Sequence, residues 1–229
     1  PFVSDFDDGI ESTDLQKVLQ CSVVSLHASL HSNEPDPSYH MIGLAESSWI
    51  SSDALLINAG RGNLLTVAAA EMLLLRGVDV VLDTWPDEPN VDPMLLAGVR
   101  FGTPHIAGYS QQSKINATDF LIDALAASLG LPPSRRDPSR GGLEQVLALE
   151  SALSVSQVVT ELVAGVGRLR VDDLNFRRRW SELATPECFE SQRREYVLRD
   201  QLNGLSVQLS EEKSGLRAML SALGVSVRH

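Results

Sequence analysis

Nearly unbroken apolar runs alternate along the first half of the chain with segments of helical composition. The runs are VVSLHASL at 23–30, ALLINAG at 54–60, VDVVLDTW at 78–85 and VRFGTPHIAG at 99–108. Apolar residues that do not alternate with polar ones indicate strands buried on both faces, as in a parallel sheet that is covered by helices. The pattern therefore predicts an α/β domain.

Two segments in this half of the chain predict helices. The sequence TVAAAEMLLLRG at 66–77 is rich in alanine and leucine, and it closes with Gly77 where a helix-ending glycine is expected. The segment from Ser110 to Leu129 carries its apolar residues on one helix face and is followed by Gly130. We expect the two helices to end at these glycines.

A segment rich in proline, LPPSRRDPSRGG at 131–142, separates two regions of different charge. Residues 1–132 hold five basic and seventeen acidic side chains, a net charge of −12, whereas residues 133–229 hold fourteen and thirteen, a net charge of +1. Prolines and glycines among polar residues cannot continue a helix, so we interpret this segment as a linker.

The region after the linker predicts a small α/β or α+β module. It opens with a long amphipathic stretch at 143–167 and continues through the arginine-rich sequence RLRVDDLNFRRRW. It ends with the strand LSVQL, the helix GLRAMLSALG and the short strand VSV. Because no pair of nucleophile and base stands out, we expect a role in assembly or docking.

Composition and charge narrow the classes of function. Of the 229 residues 43% are apolar, which is typical of a globular protein, and the net charge of −11 disfavours binding to nucleic acid or to an anionic membrane. The two cysteines, Cys21 and Cys188, show no CxxC spacing, so neither a disulfide framework nor a metal site is indicated. The apolar runs are too short to span a bilayer. We expect a soluble, cytoplasmic protein.

Residues with reactive side chains follow each of the four apolar runs. The carboxyl ends of parallel strands meet at one edge of the sheet, and ligands of α/β proteins bind there. The residues are His27 after the first run, Asn58, Gly60 and Arg61 after the second, Asp83 and Glu88 after the third, and His105 after the fourth. Two imidazoles, a guanidinium and two carboxylates are therefore predicted at the same edge.

Each of these residues has a structural alternative, since Arg61 can be a solvated loop residue, Asp83 a helix cap and Glu88 a turn residue. For His27 we favour the structural alternative. Glycines on both sides of Arg61 favour function, because they let the backbone approach a ligand whose carboxylate the guanidinium can bind. His105 with a carboxylate partner is a candidate general acid/base. An arginine that orients an acid and a histidine that moves a hydroxyl proton suggest oxidation of a 2-hydroxy acid, with the hydride carried by a cofactor.

Three motifs, LINAGRG at 56–62, LDTWPDEP at 82–89 and TPHIAG at 103–108, resemble the signature segments of the D-isomer-specific 2-hydroxyacid dehydrogenases. The resemblance implies a partial Rossmann-type parallel sheet and NAD as the cofactor. It implies that Arg61 binds the substrate carboxylate and that His105 is the acid/base with Glu88 as its partner. The residues implied to contact the cofactor are Ala28, Asn58, Ala59, Gly60, Asp83 and Gly108.

The C-terminal part resembles the dimerisation domain of one branch of this family, through PHIAGYSQQSK, RLRVDDLNFRR and PECFESQRREYVLRD. This resemblance implies a homodimer and a phosphorylated substrate, 4-phospho-D-erythronate, whose phosphate Tyr109 reaches. It implies oxidation to the 2-oxo acid in the synthesis of pyridoxal phosphate, vitamin B6. Residues 1–104 are then the C-terminal part of the NAD-binding domain, 105–132 a helix that returns to the substrate domain, and 133–229 the dimerisation domain.

Two departures from the family pattern affect the expected activity. HASL at 27–30 replaces the usual HTPL, so Ala28 offers only its backbone to the cofactor. The chain contains no GxGxxG loop, which in this family precedes the position of Pro1 and anchors the cofactor phosphates. We therefore expect the C-terminal portion of a longer enzyme, which binds NAD poorly alone. Two alternatives stay open: another D-2-hydroxyacid dehydrogenase, of phosphoglycerate type, and a non-catalytic NAD-binding or oligomerising protein.

Overall fold

The computed structural model describes residues 13–34, 36–133, 145–149, 155–199, 201, 205–209 and 214–228. Contacts within the chain divide it into two compact units. The first unit combines the described residues up to Ala107 with Leu169–Glu195, and the second combines the described residues between Gly108 and Arg168 with those from Tyr196 onwards.

Helices and strands follow one another along both units. The helices are α1 (Leu15–Leu19), α2 (Leu44–Ser47), α3 (Val67–Leu75), α4 (Pro93–Gly98), α5 (Gln111–Ser128), α6 (Val155–Val166), α7 (Leu169–Glu182), α8 (Pro186–Arg194) and α9 (Ser214–Ala222). The strands are β1 (Val23–Leu26), β2 (Leu55–Asn58), β3 (Asp79–Leu82), β4 (Phe101–Gly102), β5 (Gln145–Leu149), β6 (Leu205–Leu209) and β7 (Ser226–Arg228). A short 3-10 turn at Gly62–Leu64 follows β2.

The first unit is built on a parallel sheet with the strand order β1-β2-β3-β4. Its register pairs Val24 with Leu56, Leu56 with Val80, and Leu82 with Gly102. Each strand falls within one of the four apolar runs, so the predicted α/β fold with a parallel sheet is confirmed. The strands are shorter than the runs, and the last residues of each run form a loop at the carboxyl end of the strand.

Helix α3 follows the local signals that its sequence predicts. The Thr66 hydroxyl oxygen accepts a hydrogen bond from the backbone N–H of Ala69 at 3.1 Å and so caps the first turn. Ala69, Ala70 and Leu73 are fully buried against the sheet. Beyond the last turn, Gly77 adopts a φ of 83°, a conformation that suits a glycine at the end of a helix. The predicted helix and its end are confirmed.

Helices α7 and α8 contribute to the core of the first unit, although they lie far along the chain. Phe176, Trp180 and Phe189 are buried in the same apolar cluster as the residues of the four-stranded sheet. Removing large aromatic side chains from water stabilises the folded state, and the apolar residues of the sheet pack against them. The compact units therefore differ from the predicted segments 1–104, 105–132 and 133–229, whose functional assignment stays a prediction.

Buried polar contacts hold α7 along β4. The backbone N–H of Gly102 donates to Oδ1 of Asp173 at 2.7 Å, and Nε of Arg177 donates to the same oxygen at 2.8 Å. Arg177 also donates to the carbonyl oxygens of Leu96 and Val99, the latter at 2.9 Å. Asp173 thus satisfies a backbone donor of the outermost strand of the described sheet and orders the arginine that binds the preceding turn.

Removal of the Asp173 carboxylate is expected to destabilise the first unit. Asp173→Ala leaves the Gly102 N–H and Nε of Arg177 without their shared acceptor, which costs about 1–3 kcal/mol in the free energy of unfolding. Urea denaturation followed by tryptophan fluorescence measures the change. Asp79→Ala is the matched control, because Asp79 pairs with Arg100 at the surface, where an ion pair contributes about 1 kcal/mol or less. Equal losses in both variants would contradict the role of Asp173.

The second unit contains α5 and a separate parallel sheet with the strand order β5-β6-β7. Ser110 caps α5 by accepting a hydrogen bond from the backbone N–H of Ser113 at 3.0 Å, and Gly130 follows the helix with a φ of 68°, as predicted. The predicted strands and helix near the C-terminus are also confirmed. They bury an apolar cluster of Val158, Leu162, Leu205, Val207, Leu220 and Val225.

The prediction of one continuous amphipathic stretch at 143–167 is wrong in its first part. Gln145–Leu149 is a strand, β5, whose Leu147 pairs with Val207 of β6. Glutamine, leucine and alanine favour a helix locally, but pairing with a neighbouring strand outweighs this preference. Helix α6 occupies the rest of the stretch that the structure describes. The predicted linker lies outside the described residues from position 134 onwards.

Candidate active site

The loops that follow the four parallel strands meet at one edge of the sheet. The backbone N–H of Asp83, directly after β3, donates to the carbonyl oxygen of Asn58 at the end of β2, at 2.9 Å. The N–H of Thr103, directly after β4, donates to the carbonyl oxygen of Leu82 at 3.0 Å. The predicted convergence of the strand ends is therefore present in the backbone itself.

Glu88 and His105 form a hydrogen-bonded pair at this edge. Nδ1 of His105 lies 2.6 Å from Oε1 of Glu88, and the two side chains are 27% and 24% exposed. The other carboxylate oxygen of Glu88 accepts a hydrogen bond from the backbone N–H of Trp85 at 3.0 Å. Because a carboxylate accepts from Nδ1–H, the second ring nitrogen, Nε2, remains available to exchange a proton with a ligand.

Asp83 organises the loop that carries His105. Its Oδ1 accepts hydrogen bonds from the Thr103 hydroxyl and from the backbone N–H of Ile106, both at 2.7 Å, and its Oδ2 accepts from the N–H of Ala107 at 3.0 Å. The carbonyl oxygen of Asp83 also accepts from the N–H of His105 at 2.7 Å. Asp83 is only 6% exposed. The predicted contact of Asp83 with the cofactor stays a prediction.

Trp85 contacts the loops that follow β2 and β4, and it lies itself in the loop that follows β3. A Cβ added to Gly62 would lie 1.8 Å from the carbonyl oxygen of Trp85, so the two backbones are in direct contact. The fully buried indole donates from Nε1 to the carbonyl oxygen of Thr103 at 2.8 Å. The sequence pattern selects Asp83 and Glu88 in this loop and misses the role of Trp85 between them. The signal that could have indicated it is a tryptophan that closes an apolar run and stands between two candidate residues.

The Arg61 side chain is not part of the Glu88–His105 pair. Its guanidinium is exposed and donates to the carbonyl oxygen of its neighbour Gly60 at 2.8 Å, its one side-chain hydrogen bond to the described residues. The loop is positioned by the contact between Gly62 and Trp85. The structure thus brings Glu88 and His105 together and leaves the Arg61 side chain turned onto its own backbone, so its carboxylate-binding role stays a prediction.

The other predicted cofactor residues form a tight turn after β2 or lie elsewhere. The buried Asn58 donates from Nδ2 to the carbonyl oxygen of Arg61 at 3.0 Å and accepts from the N–H of Gly60 at 3.2 Å, so its amide is used to shape the turn. Ala28 and Ala59 are half-buried. Gly108 and Tyr109 belong to the second unit. There, the Tyr109 ring lies 4.1 Å from Nζ of Lys114.

Membrane helices and metal clusters are not found in the described part of the chain. None of its helices combines the length and the apolar character needed to cross a bilayer. Within the same residues, no group of three or more histidine, cysteine, aspartate or glutamate side chains is arranged to hold a metal ion.

The motifs at the strand ends lie in a stretch that matches a known protein family. Residues 3–107 match the family described as D-isomer specific 2-hydroxyacid dehydrogenase, NAD binding domain. This stretch contains the Arg61, Glu88 and His105 motifs, and it is the part of the chain that is similar to that family. The predicted resemblance is confirmed.

Individual relatives extend the similarity into the C-terminal part. The chain is 34% identical over 225 residues to the erythronate-4-phosphate dehydrogenase of Pseudomonas putida strain F1. The aligned region covers 95% of this chain and 59% of that protein. It is 34% identical over 217 residues to the enzyme of the same name from Stutzerimonas stutzeri strain A1501, which covers 90% and 56%. The chain thus spans less than two thirds of the length of these relatives.

Among solved structures, one similar protein is the D-isomer specific 2-hydroxyacid dehydrogenase of Lactobacillus delbrueckii ssp. bulgaricus in its NAD-complexed form. The sequence identity is 30%, the match covers 53% of this chain and 42% of that chain, and the TM-score is 0.44.

Proposed function

We propose that the protein to which this chain belongs is an NAD-dependent dehydrogenase of 4-phospho-D-erythronate. The product is the corresponding 2-oxo acid, (R)-3-hydroxy-2-oxo-4-phosphooxybutanoate, an intermediate on the way to pyridoxal phosphate. The observation that carries the proposal is the hydrogen bond of 2.6 Å between Glu88 and His105 at the carboxyl ends of parallel strands. The names of the relatives at 34% identity support this substrate.

His105 has the proton-transfer role in the proposed reaction. Its Nε2 accepts the proton of the 2-hydroxyl group as a hydride leaves the same carbon, so that a carbonyl group forms. Glu88 accepts the hydrogen bond from Nδ1–H, which fixes the tautomer and stabilises the imidazolium that results. When bound, NAD supplies the acceptor for the hydride.

Arg61 is proposed to bind the substrate carboxylate through two parallel hydrogen bonds. For this the guanidinium has to leave the carbonyl oxygen of Gly60, which it contacts at 2.8 Å. Exchange of a single hydrogen bond at an exposed position for a charged bidentate pair is favourable. The loop that carries Arg61 is itself held in place, because the Gly62 backbone lies against that of Trp85.

The residues after β1 and β2 fit the nicotinamide end of the proposed cofactor. An added Cβ on Gly60 would lie 2.7 Å from the carbonyl oxygen of Leu26, so two strand ends adjoin with little side-chain bulk between them. Ala28 and the backbone of Asn58–Gly60 would hold the nicotinamide there. For Asp83 the fit is poorer, because three donors of the protein already occupy its carboxylate.

The remaining parts of the proposal concern the C-terminal region. We propose a homodimer formed through residues 133–229, and contact between Tyr109 and the substrate phosphate. Light scattering on the intact protein measures the first point, and a monomer at micromolar concentration would contradict it. A net charge of −11 is consistent with a cytoplasmic protein that does not bind nucleic acid.

The reaction is tested with the protein at its full natural length and purified 4-phospho-D-erythronate, with NADH absorbance as the readout. We expect NADH to form with this acid and much less with unphosphorylated erythronate or with 3-phosphoglycerate. Preference for 3-phosphoglycerate would favour the phosphoglycerate-type alternative. Binding of NAD without turnover of any acid would favour a non-catalytic protein.

Tyr109→Phe tests the proposed phosphate contact. A hydrogen bond to a charged group contributes about 1.5–3 kcal/mol, so its loss is expected to raise the KM for 4-phospho-D-erythronate at least about tenfold. The KM for NAD should stay within about twofold, since a hydroxyl at the phosphate end does not contact the cofactor. Tyr39→Phe, at an exposed tyrosine of the first unit, is the matched control. An unchanged KM for the phosphorylated acid in Tyr109→Phe would contradict the assignment.

A further inference from the structure

The peptide group between His105 and Ile106 is held from both sides. Its N–H donates to Oδ1 of Asp83 at 2.7 Å, and its carbonyl oxygen accepts a hydrogen bond from Nε of Arg193 at 3.4 Å. His105 itself has a φ of 54°, in the left-handed region that residues other than glycine rarely adopt. A backbone in this region persists only where its surroundings hold it, and such residues concentrate at functional sites.

Arg193 is well fixed on α8. Its NH1 group donates to both carboxylate oxygens of Glu190, at 3.1 and 3.2 Å, and its guanidinium carbon lies 5.9 Å from the centroid of the Phe189 ring. Phe189 is fully buried in the core of the first unit. An arginine that is held by a carboxylate and an aromatic ring loses little further freedom when it donates to a third group.

We propose that Arg193 is a positioning residue for His105. It binds the carbonyl oxygen of His105, whose backbone is in the left-handed region, and so keeps the imidazole in the orientation in which Nδ1 reaches Glu88. Arg193 lies outside the 3–107 stretch that matches the NAD-binding domain family. The C-terminal part of the chain therefore contributes directly to the geometry of the acid/base pair. The effect of Arg193 on turnover rests on the proposed function, whereas its effect on the histidine does not.

The first readout is nitrogen NMR of protein labelled in its histidines. The chain has five histidines, and His105→Asn identifies the signals of His105. In Arg193→Gln we expect the ring-nitrogen signals of His105 to shift or broaden, because the imidazole samples several orientations, while the other histidines keep theirs. Arg193→Lys keeps a cation and the apolar stem but lacks the planar fork, so it should give a smaller change of the same kind. Arg194→Gln, at the exposed neighbouring arginine, is the matched control and should leave all five histidines unchanged.

The second readout is the kinetics of the full-length protein. Misplacement of an acid/base group lowers turnover, so Arg193→Gln is expected to reduce kcat about tenfold with the KM for NAD within about twofold. A merely structural role would lower the melting temperature and the folded fraction and leave the His105 signals of the folded molecules unchanged. Wild-type His105 signals in both Arg193 variants would overturn the inference. If the His105 signals change as expected but the wild-type protein oxidises no hydroxy acid, the proposed function fails and the positioning role of Arg193 stands.

Discussion

His105→Asn is expected to lower the kcat for oxidation of the hydroxy acid by about a hundredfold to ten-thousandfold, the range for loss of a general acid/base. In the proposed reaction, the proton of the 2-hydroxyl group then has no acceptor at the moment when the hydride leaves. Asparagine is the most informative replacement, because it tolerates a φ near the observed 54° better than alanine and still cannot take up the proton. The loss can then be attributed to chemistry and not to a rearranged loop.

The matched control for this substitution is His40→Asn. His40 also has a positive φ, of 57°, and lies in the first unit, where its ring stacks on that of Tyr39. We expect kcat to stay within about twofold of the wild-type value, since this imidazole has no part in the proposed chemistry. Circular dichroism should show that both variants remain folded. A His105→Asn protein that retains wild-type kcat would remove His105 from the mechanism, and with it the role of Glu88.

The fold of the first unit could be predicted from the sequence because buried parallel strands leave a strong local signal. The apolar runs at 23–30, 54–60, 78–85 and 99–108 each contain one strand of the observed sheet. Parallel strands place their carboxyl ends together, which predicts Glu88 and His105 at the same edge of the sheet. That these two residues pair is what the family resemblance implied. Pairing between strands far apart in the sequence could not be predicted, since nothing in the local sequence of Gln145–Leu149 indicates that it pairs with β6.

The contacts of α7 and α8 with the sheet could not be predicted for the same reason. Phe176 and Trp180 show that α7 has an apolar side, but an amphipathic helix can pack against many different apolar surfaces. The role of Asp83 in holding the loop of His105 could not be predicted either. Its carboxylate accepts from backbone N–H groups of this loop, whose path depends on the whole sheet. The direction of a side chain could not be predicted either. Arg61 lies in the loop after β2, as expected, but its guanidinium donates to the carbonyl oxygen of Gly60.

Gly62→Ala is expected to destabilise the first unit by about 3 kcal/mol or more, at the upper end of the range for overpacking. The added methyl group would lie 1.8 Å from the carbonyl oxygen and 2.4 Å from the carbonyl carbon of Trp85, and no side-chain rotation can relieve a contact between two backbones. The loop that carries Arg61 or the one that carries Glu88 therefore has to move. We also expect kcat to fall in the protein that remains folded, because the movement separates groups that are proposed to act on one substrate.

Gly98→Ala provides the control for the Gly62 substitution. A methyl group at Gly98 would meet only side-chain atoms of Leu74, the nearest of them at 2.6 Å, and a leucine side chain can rotate away. Gly98 is also the last residue of α4, where alanine favours the helical backbone by up to about 1 kcal/mol. The urea midpoint of Gly98→Ala should therefore stay close to that of the wild type, while that of Gly62→Ala falls clearly. Similar midpoints for Gly62→Ala and the wild type would mean that the two loops are not held by the contact between Gly62 and Trp85, and the approach of Arg61 to the Glu88–His105 pair would then lack its structural support.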